Sequence, residues 1–424
     1  MKRVVTFLLA AGLVLAVAAP APAAPPSSDP RTDAADAAAW LGRQVNASGF
    51  IPAAGNPAHP NLSVTVQTVT ALAAAGVGRT QVDAILGYLG HHVDDVVVVA
   101  GSDDAGALAN LILAAVAGGA DPTAFGPGHA DLVARLLASQ QPSGLFGSSS
   151  PTFDGAFRQG LALLALHAAG VTNPAGVTWL EGQQCADGSW TSFRSDTAAP
   201  CPPVDLNTFT GPDTNSTALA AIGLHVQGAT TPAAAGVAEL GSVRNAHGGW
   251  GFFSDAGQAT DANSTGVVLL ALRTVNGTAD TAGIHALLAL QAGCTADPAD
   301  RGGIAFQPGP GGTIAPDLLA TMQATPALAE VALPITADAI SASLPTPCAP
   351  ATTTTTATTP TTAAASGTTV AAAGATAPAS TVAAAAGNEL PRTGSSSGPI
   401  AILAVCAIAL GLLFVGLARR RQQS

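Results

Sequence analysis

The chain has 424 residues, of which 48% are hydrophobic and only 10% charged, and its formal net charge is −11. It is too apolar to be one soluble domain throughout, so targeting segments have to be set apart first. Its acidity argues against nucleic acid or anionic lipid as a partner. With Lys2 its sole lysine, it has no group for a Schiff base or a phosphate-loop lysine once a leader is removed.

Met1-Lys2-Arg3 is a basic start, Val4–Ala19 an apolar run too short to span comfortably, and Ala21-Pro22-Ala23 a small-residue cleavage site. Residues 1–24 therefore read as a secretory signal peptide. At the far end, Pro399–Ala418 has the length of one membrane-spanning helix, followed by Arg419-Arg420-Arg421 as a basic stop that stays inside. Removing both ends takes five of the 15 basic residues and none of the 26 acids, leaving 10 − 26 = −16.

Between these ends the pattern repeats. Ala34–Leu41 reads as an outer, amphipathic helix leading to Gln44 and Gly49-Phe50, and Val64–Ala75 as an inner helix apolar all round. Ala84–Gly90 is a second outer helix without glutamine or aromatic turn, and Asp103-Asp104 precede the inner helix Ala105–Ala117. Asp131–Gln141 leads to the turn Ser143-Gly144-Leu145-Phe146-Gly147, after which Asp154 starts Gly155–Ala169. The clearest copy runs from Val177–Gln184 through Cys185-Ala186-Asp187-Gly188-Ser189-Trp190 to an inner helix starting Asp213-Thr214-Asn215-Ser216-Thr217-Ala218. Ala233–Val243 leads to Gly248-Gly249-Trp250-Gly251-Phe252, and Asp261 leads Asn263–Val275. Last come Ile284–Gln291, the turn Gly302-Gly303-Ile304-Ala305-Phe306 and Asp317–Gln323.

The acidic starts Asp104, Asp154, Asp213, Asp261 and Asp317 are 50, 59, 48 and 56 residues apart. A period near fifty with one helix pair per repeat marks an array or a closed ring, because an inner helix apolar on every side cannot be buried by one partner. The helices are expected to close on glycine, which takes the left-handed C-terminal cap without strain. The expected fold is all-α, an (α/α)6 toroid of six hairpins over residues 33–347. Four cysteines (Cys185, Cys201, Cys294, Cys348) fall in the exported part, an even number in an oxidising compartment. Three pairings can be drawn. Cys185–Cys201, closing a short Pro-rich insertion, and Cys294–Cys348, pinning the last segment, are favoured.

Gln183-Gln184-Cys185-Ala186-Asp187-Gly188-Ser189-Trp190 resembles the glutamine–tryptophan repeat of squalene–hopene and other terpenoid cyclases. Gln140–Phe146 and Asn245–Trp250 are degenerate versions. The repeat is shared with protein prenyltransferase β subunits and, more distantly, cobalamin carriers of the transcobalamin type. The resemblance implies the ring and leaves activity open. Class II cyclases protonate an alkene with the middle aspartate of DxDDTA, yet Asn215 stands at that place, and an amide cannot give up that proton. Prenyltransferases hold zinc with Asp and Cys at the head of an inner helix, where Asp261-Ala262-Asn263 puts an amide in place of the thiolate. No catalytic residue, metal or cofactor is therefore assigned. His91-His92 with Asp94-Asp95 reads as a solvated loop. Asp154, Asp213, Asn215, Asp261 and Asn263 are expected at one mouth of the ring, as helix caps or as a polar ring receiving a ligand at helix N-termini.

After Pro347 the composition turns to Ala, Thr, Pro, Ser, Gly and Val. Residues 348–389 read as a disordered stalk. Leu390-Pro391-Arg392-Thr393-Gly394 then resembles the LPXTG sorting signal of Gram-positive surface proteins, with the apolar helix 399–418 and arginine tail in the expected order through residue 424. The resemblance implies that a sortase cuts between Thr393 and Gly394 and joins Thr393 to peptidoglycan. The mature protein would then be secreted and fixed to the cell wall, its precursor held at the plasma membrane by one helix. Its ring would meet an unknown small ligand or surface protein.

Overall fold

The computed structural model describes residues 30–147, 154–336 and 339–348. The expected signal peptide, most of the stalk, Leu390–Gly394 and the apolar segment 399–418 lie outside the described residues. Among those described, no helix is long and apolar enough to cross a membrane.

Among the described residues thirteen α-helices follow one another, twelve of them in alternating outer and inner positions. The outer helices are α1 (Pro30–Gln44), α3 (Arg79–His91), α6 (Leu132–Ala138), α8 (Pro174–Gly182), α10 (Thr230–Ser242) and α12 (Thr281–Leu288). The inner ones are α2 (Leu62–Ala75), α5 (Ala105–Gly118), α7 (Ala156–Ala168), α9 (Thr214–Val226), α11 (Ala262–Asn276) and α13 (Leu318–Leu328). The short α4 (Val93–Val97) is an extra turn in the second hairpin. Each inner helix packs on the next, and α13 packs on α2, so the inner layer closes into a ring. Helix α1 lies against both α13 and α2 and covers the seam. The only extended pairs among the described residues are two ribbons, β1 (Pro52–Ala53) with β2 (Asn56–Pro60) and β3 (Val98–Val99) with β4 (Ser102–Asp103). The fold is the expected all-α toroid of six hairpins.

The inner helices form because small and branched apolar residues fill every side. On α9, Thr214 and Ser216–Leu224 are all buried, and one continuous core runs from Ala34 to Ala329. Their starts are fixed by side-chain caps. Asn61, Asp104, Asp213, Asp261 and Asp317 each accept the backbone N–H three residues on, satisfying a donor that has no partner within the helix. Asp154 departs from this pattern. Gly155 occupies the cap position of α7, and the Asp154 carboxylate instead lies 3.1 Å from Arg158 Nη1.

Glycine closes fewer helices than expected. Gly76, Gly119 and Gly277 are left-handed caps, and Gly170 and Gly228 sit one residue beyond the caps of α7 and α9. Helix α13 ends instead with Glu330 in the left-handed region at φ 54°. The outer helices end on His92, Ser139, Gln183, Val243 and Ala289 from α3 onward. Their glycine comes later, in the turn. Nor are His91 and His92 in a loop, since His91 ends α3 and His92 precedes α4.

Both favoured disulfides are present, Cys185–Cys201 and Cys294–Cys348.

Candidate functional site

The turn between the helices of one hairpin binds that hairpin to the next. At Trp190 and Trp250, both fully buried, the indole N–H donates to a carbonyl ten residues back, Leu180 O at 2.9 Å and Leu240 O at 2.6 Å. This ties the tryptophan to a carbonyl at the end of an outer helix, where Leu180 O also accepts from Gln183 N at 3.1 Å. The backbone N–H of the same turn residue donates to a side chain in the first turn of the inner helix. The pairs are Ile51 with Thr65, Trp190 with Thr217, Trp250 with Thr265 and Ile304 with Thr321, at 2.8–3.0 Å. In the third hairpin Phe146 uses Gln159 in place of threonine, at 2.9 Å.

The repeat glutamine then reaches the next outer helix. Gln184 Nε2 donates to Gly188 O and to Pro232 O, both at 3.0 Å. Gln140 exchanges two hydrogen bonds with Asn173, the N-cap of α8. Gln291 Nε2 donates to Asp33 O at 2.8 Å. In the fifth hairpin Arg244 takes this place, paired with Asp280 and lying 4.8 Å over the Trp250 ring. The glutamine–tryptophan repeat is therefore a stitch between hairpins. In four of the five inner helices capped by Asn or Asp a threonine stands four residues on (Asn61/Thr65, Asp213/Thr217, Asp261/Thr265, Asp317/Thr321), a spacing visible in the sequence, whereas Leu108 follows Asp104.

The N-terminal ends of the inner helices share one mouth of the ring. Asp213 and Asp261 are buried there, at 3% and 4% exposure. Each turns a carboxylate oxygen back to its own helix, onto Ser216 N and Ser264 N at 2.7 Å. Burial pushes both carboxyls up to about 6, against the lowering effect of those hydrogen bonds. Asp104 and Asp154 flank Arg158 Nη1 at 2.8 and 3.1 Å, while Asp103 and Asp94 hold Arg135. The aspartates of the mouth are thus caps or ion-pair partners.

The side chains that face the ring axis are different ones. The outer helices and the two inner neighbours cover three sides of each inner helix, so its partly open residues mark the fourth. On α2 these are Ser63, Gln67, Thr70 and Ala74, spaced by four, three and four as one helix face demands. Taking the polar ones, each inner helix contributes one long or amide side chain. These are Gln67, Asn110, Arg158, Asn215, Asn263 and Gln323, all half-buried. Asn263 Nδ2 donates to Gln323 Oε1 at 2.6 Å across α11 and α13. Asn110 donates to Gly106 O at 3.1 Å, and Gln67 to Ser63 Oγ at 3.2 Å. Asn215 accepts only a 3.5 Å contact from Thr214 Oγ1 among the described residues. Acceptors on Gln67 and Asn110 and donors on Asn215 and Gln323 thus remain unused. On α7 and α9 the position level with Gln67, Asn110 and Gln323, six residues past the cap, is taken by Leu161 and Leu219, 7% and 6% exposed.

Of the five residues expected at the mouth, Asn215 and Asn263 face the axis. Asp213 and Asp261 are buried caps, and Asp154 joins Arg158. Gln67, Asn110 and Gln323 were not foreseen, because an isolated amide in an apolar helix gives no sign of which side it faces until the ring closes. His92 Nδ1 lies 2.9 Å from Asp95 and Asp94 pairs with Arg135. Among the described residues no group of three metal-ligating side chains comes together.

No protein-family model matches the chain, and no curated protein does. Its fold is similar to solved structures. A heparin-specific unsaturated glucuronyl hydrolase superposes with a TM-score of 0.50 at 13% identity, covering 71% of this chain and 96% of that one. The type II terpene cyclase MstE from Scytonema gives 0.46 at 19%, in its D109A form, over 71% and 96%. A protein from Actinoplanes gives 0.48 at 17%, over 71% and 99%. The first of these superpositions, at 13% identity, bears on the toroid fold alone.

Proposed function

We propose that the chain is a secreted surface protein that displays its ring on the Ala/Thr/Pro stalk and holds a ligand or surface partner at the ring's mouth. Sortase would cleave Leu390-Pro391-Arg392-Thr393-Gly394 and fix the protein to peptidoglycan through Thr393. The order of signal peptide, ring, stalk, sorting signal, apolar segment and arginine tail supports the anchoring. The ligand reading rests on one observation, the half-buried amides of the inner helices with hydrogen-bonding capacity left over.

A terpenoid cyclase or prenyltransferase type of enzyme is the second reading. Asp213 and Asp261 favour it, since carboxyls near 6 are suited to proton transfer at neutral pH. Against it, both hold their own helix starts, and the positions that carry acid or thiolate in the resembled families are Asn215 and Asn263. A cobalamin-type carrier belongs to the first reading, as one choice of ligand.

Two measurements test it. In the host, Thr393→Ala should move the protein from the cell-wall fraction to the membrane and medium; unchanged wall attachment would end the sortase reading. For the ring, thermal unfolding is screened against corrinoids, polyprenols, cell-wall sugars and divalent metals. A ligand at a hundredfold its Kd adds about 2.7 kcal/mol. Turnover of any of them would favour the enzyme instead.

A further inference from the structure

Beside the amide layer the rim carries an aromatic platform. Phe209 stacks on Phe252 with ring centroids 5.1 Å apart, and Phe253 meets both edge-on at 4.8 and 5.0 Å. Phe209 is 46% exposed and its neighbour Leu206 is 57% exposed. Phe209 also sits at φ 54°, a backbone region that bulky residues avoid unless the surroundings impose it. The platform is tied to the mouth, because Thr214 N, at the first residue of α9, donates to Phe252 O at 2.8 Å. Asn215 is the next residue. On the neighbouring inner helix α7, and on α5 beyond it, lie the charge-paired Asp104, Asp154 and Arg158.

We infer that this mouth is a saccharide site, in which the end residue of an uncharged glycan sets its hydroxyls against Gln67, Asn110, Asn215 and Gln323 and its apolar face on Phe209 and Phe252. The inference rests on the ligand reading of the ring proposed above. Hydroxyl groups both donate and accept, and the layer offers unused groups of both kinds without a free charge. An apolar chain would leave those amides desolvated and unpaired, a cost of about 1–3 kcal/mol for each group. An anion would come close to the carboxylates of Asp104, Asp154, Asp213 and Asp261. A cation would find Asp104 and Asp154 already engaged by Arg158. Sugar rings have an apolar C–H face that an exposed aromatic surface covers, and Phe209, 46% exposed, offers one.

The test uses the full chain purified in detergent. Gluco-, manno- and chito-oligosaccharides are the uncharged probes, a heparin oligosaccharide the anionic one, and a polyprenol the apolar one. Binding is read by titration calorimetry and by transfer of saturation to sugar protons. At least one uncharged oligosaccharide should bind, and Asn215→Ala and Phe209→Ala should each weaken it roughly tenfold, the scale of one lost hydrogen bond or stacking contact. Phe209 is exposed on a loop, so its variant keeps the fold, which the thermal melt verifies. The inference is overturned if no uncharged sugar binds, if only heparin or the polyprenol binds, or if both variants bind the sugar as the parent does. Polyprenol binding lost in Asn215→Ala would overturn the saccharide while leaving the mouth a ligand site.

Discussion

At the scale of single residues, Asp213 and Asp261 show how one carboxylate serves a helix and burdens it with a buried charge. Their ordinary value is 3.8 and burial raises it to about 6, so between those pH values the folded protein binds protons that the unfolded chain does not. Stability from these groups is therefore fully present below about pH 4 and lost as pH rises through about 6. Each contributes about 2–3 kcal/mol over that interval. Asparagine caps a helix about as well as aspartate. Asp213→Asn should accordingly keep the melt at pH 4 and raise it above the parent's at pH 7. Asp213→Ala should lose about 1 kcal/mol of cap at pH 4. Urea titrations at pH 4, 5, 6 and 7 decide it, and an Asp213→Asn protein with the parent's full pH slope would refute the assignment. The capping role of these residues was legible from their place before apolar runs. That Asn215 faces the axis whereas Asp213 is buried depends on a register set by tertiary packing, which one helix's sequence does not carry.

At the scale of elements, apolarity on every side identified the inner helices, and the departures have local causes. Helix α13 is longer than the expected Asp317–Gln323 and passes through Pro326, although proline removes a backbone donor and clashes with the preceding turn. It runs on to Leu328 because Ala324, Thr325, Ala327 and Leu328 are buried, and that packing outweighs one lost hydrogen bond in the last turn. Helix α10 begins at Thr230, before Pro232, where a missing N–H costs nothing. The coupling between turn and inner helix was the part least visible, since a threonine in an apolar run looks like filler. Thr217 accepts from Trp190 N at 3.0 Å and donates to Asp213 O at 2.7 Å, fully buried. Thr217→Val keeps the shape and removes both bonds, leaving the indole's backbone N–H unpaired. It should cost about 1–3 kcal/mol, more than Thr208→Val on the exposed insertion. Chemical denaturation with equal m-values compares the two, and equal midpoints would show that the turn does not depend on this hydroxyl.

At the scale of the whole molecule, the ring's closure repeats a contact found at four of the other five hairpin junctions. Gly49, Gly144, Gly188 and Gly248 have positive φ and lie so close to the next outer helix that an added Cβ would come within 2.2–3.0 Å of Ala84 O, Ala175 O, Ala235 O and Ala282 O. Gly302 does the same to Asp36 O at 2.2 Å, joining the sixth hairpin to the first. Six repeats at one pitch therefore return the chain to its own start, which makes open-ended capping repeats unnecessary. The seam differs from the other junctions in having no covalent continuity, and the last described stretch, residues 339–348, supplies it. Ser341 exchanges backbone bonds with Gly76 and Arg79, Cys348 N donates to Asp36 Oδ2 at 3.1 Å, and Cys348 is bonded to Cys294. This disulfide spans 54 residues against 16 for Cys185–Cys201. On the chain-entropy account the longer closed loop is worth about 4 kcal/mol and the shorter about 3 kcal/mol. The larger difference should be in where the loss is felt. Replacing Cys294 and Cys348 by serine should raise hydrogen exchange in α1, α13 and the turn after α12 together, because α1 and α13 pack on each other across the seam and that turn reaches Asp33 and Asp36. Replacing Cys185 and Cys201 should loosen only the insertion before α9, including the segment that carries Phe209. Exchange that rises evenly around the ring in the first variant would mean that the seam is no weaker than any other junction, and that closure is held by the repeat contacts alone.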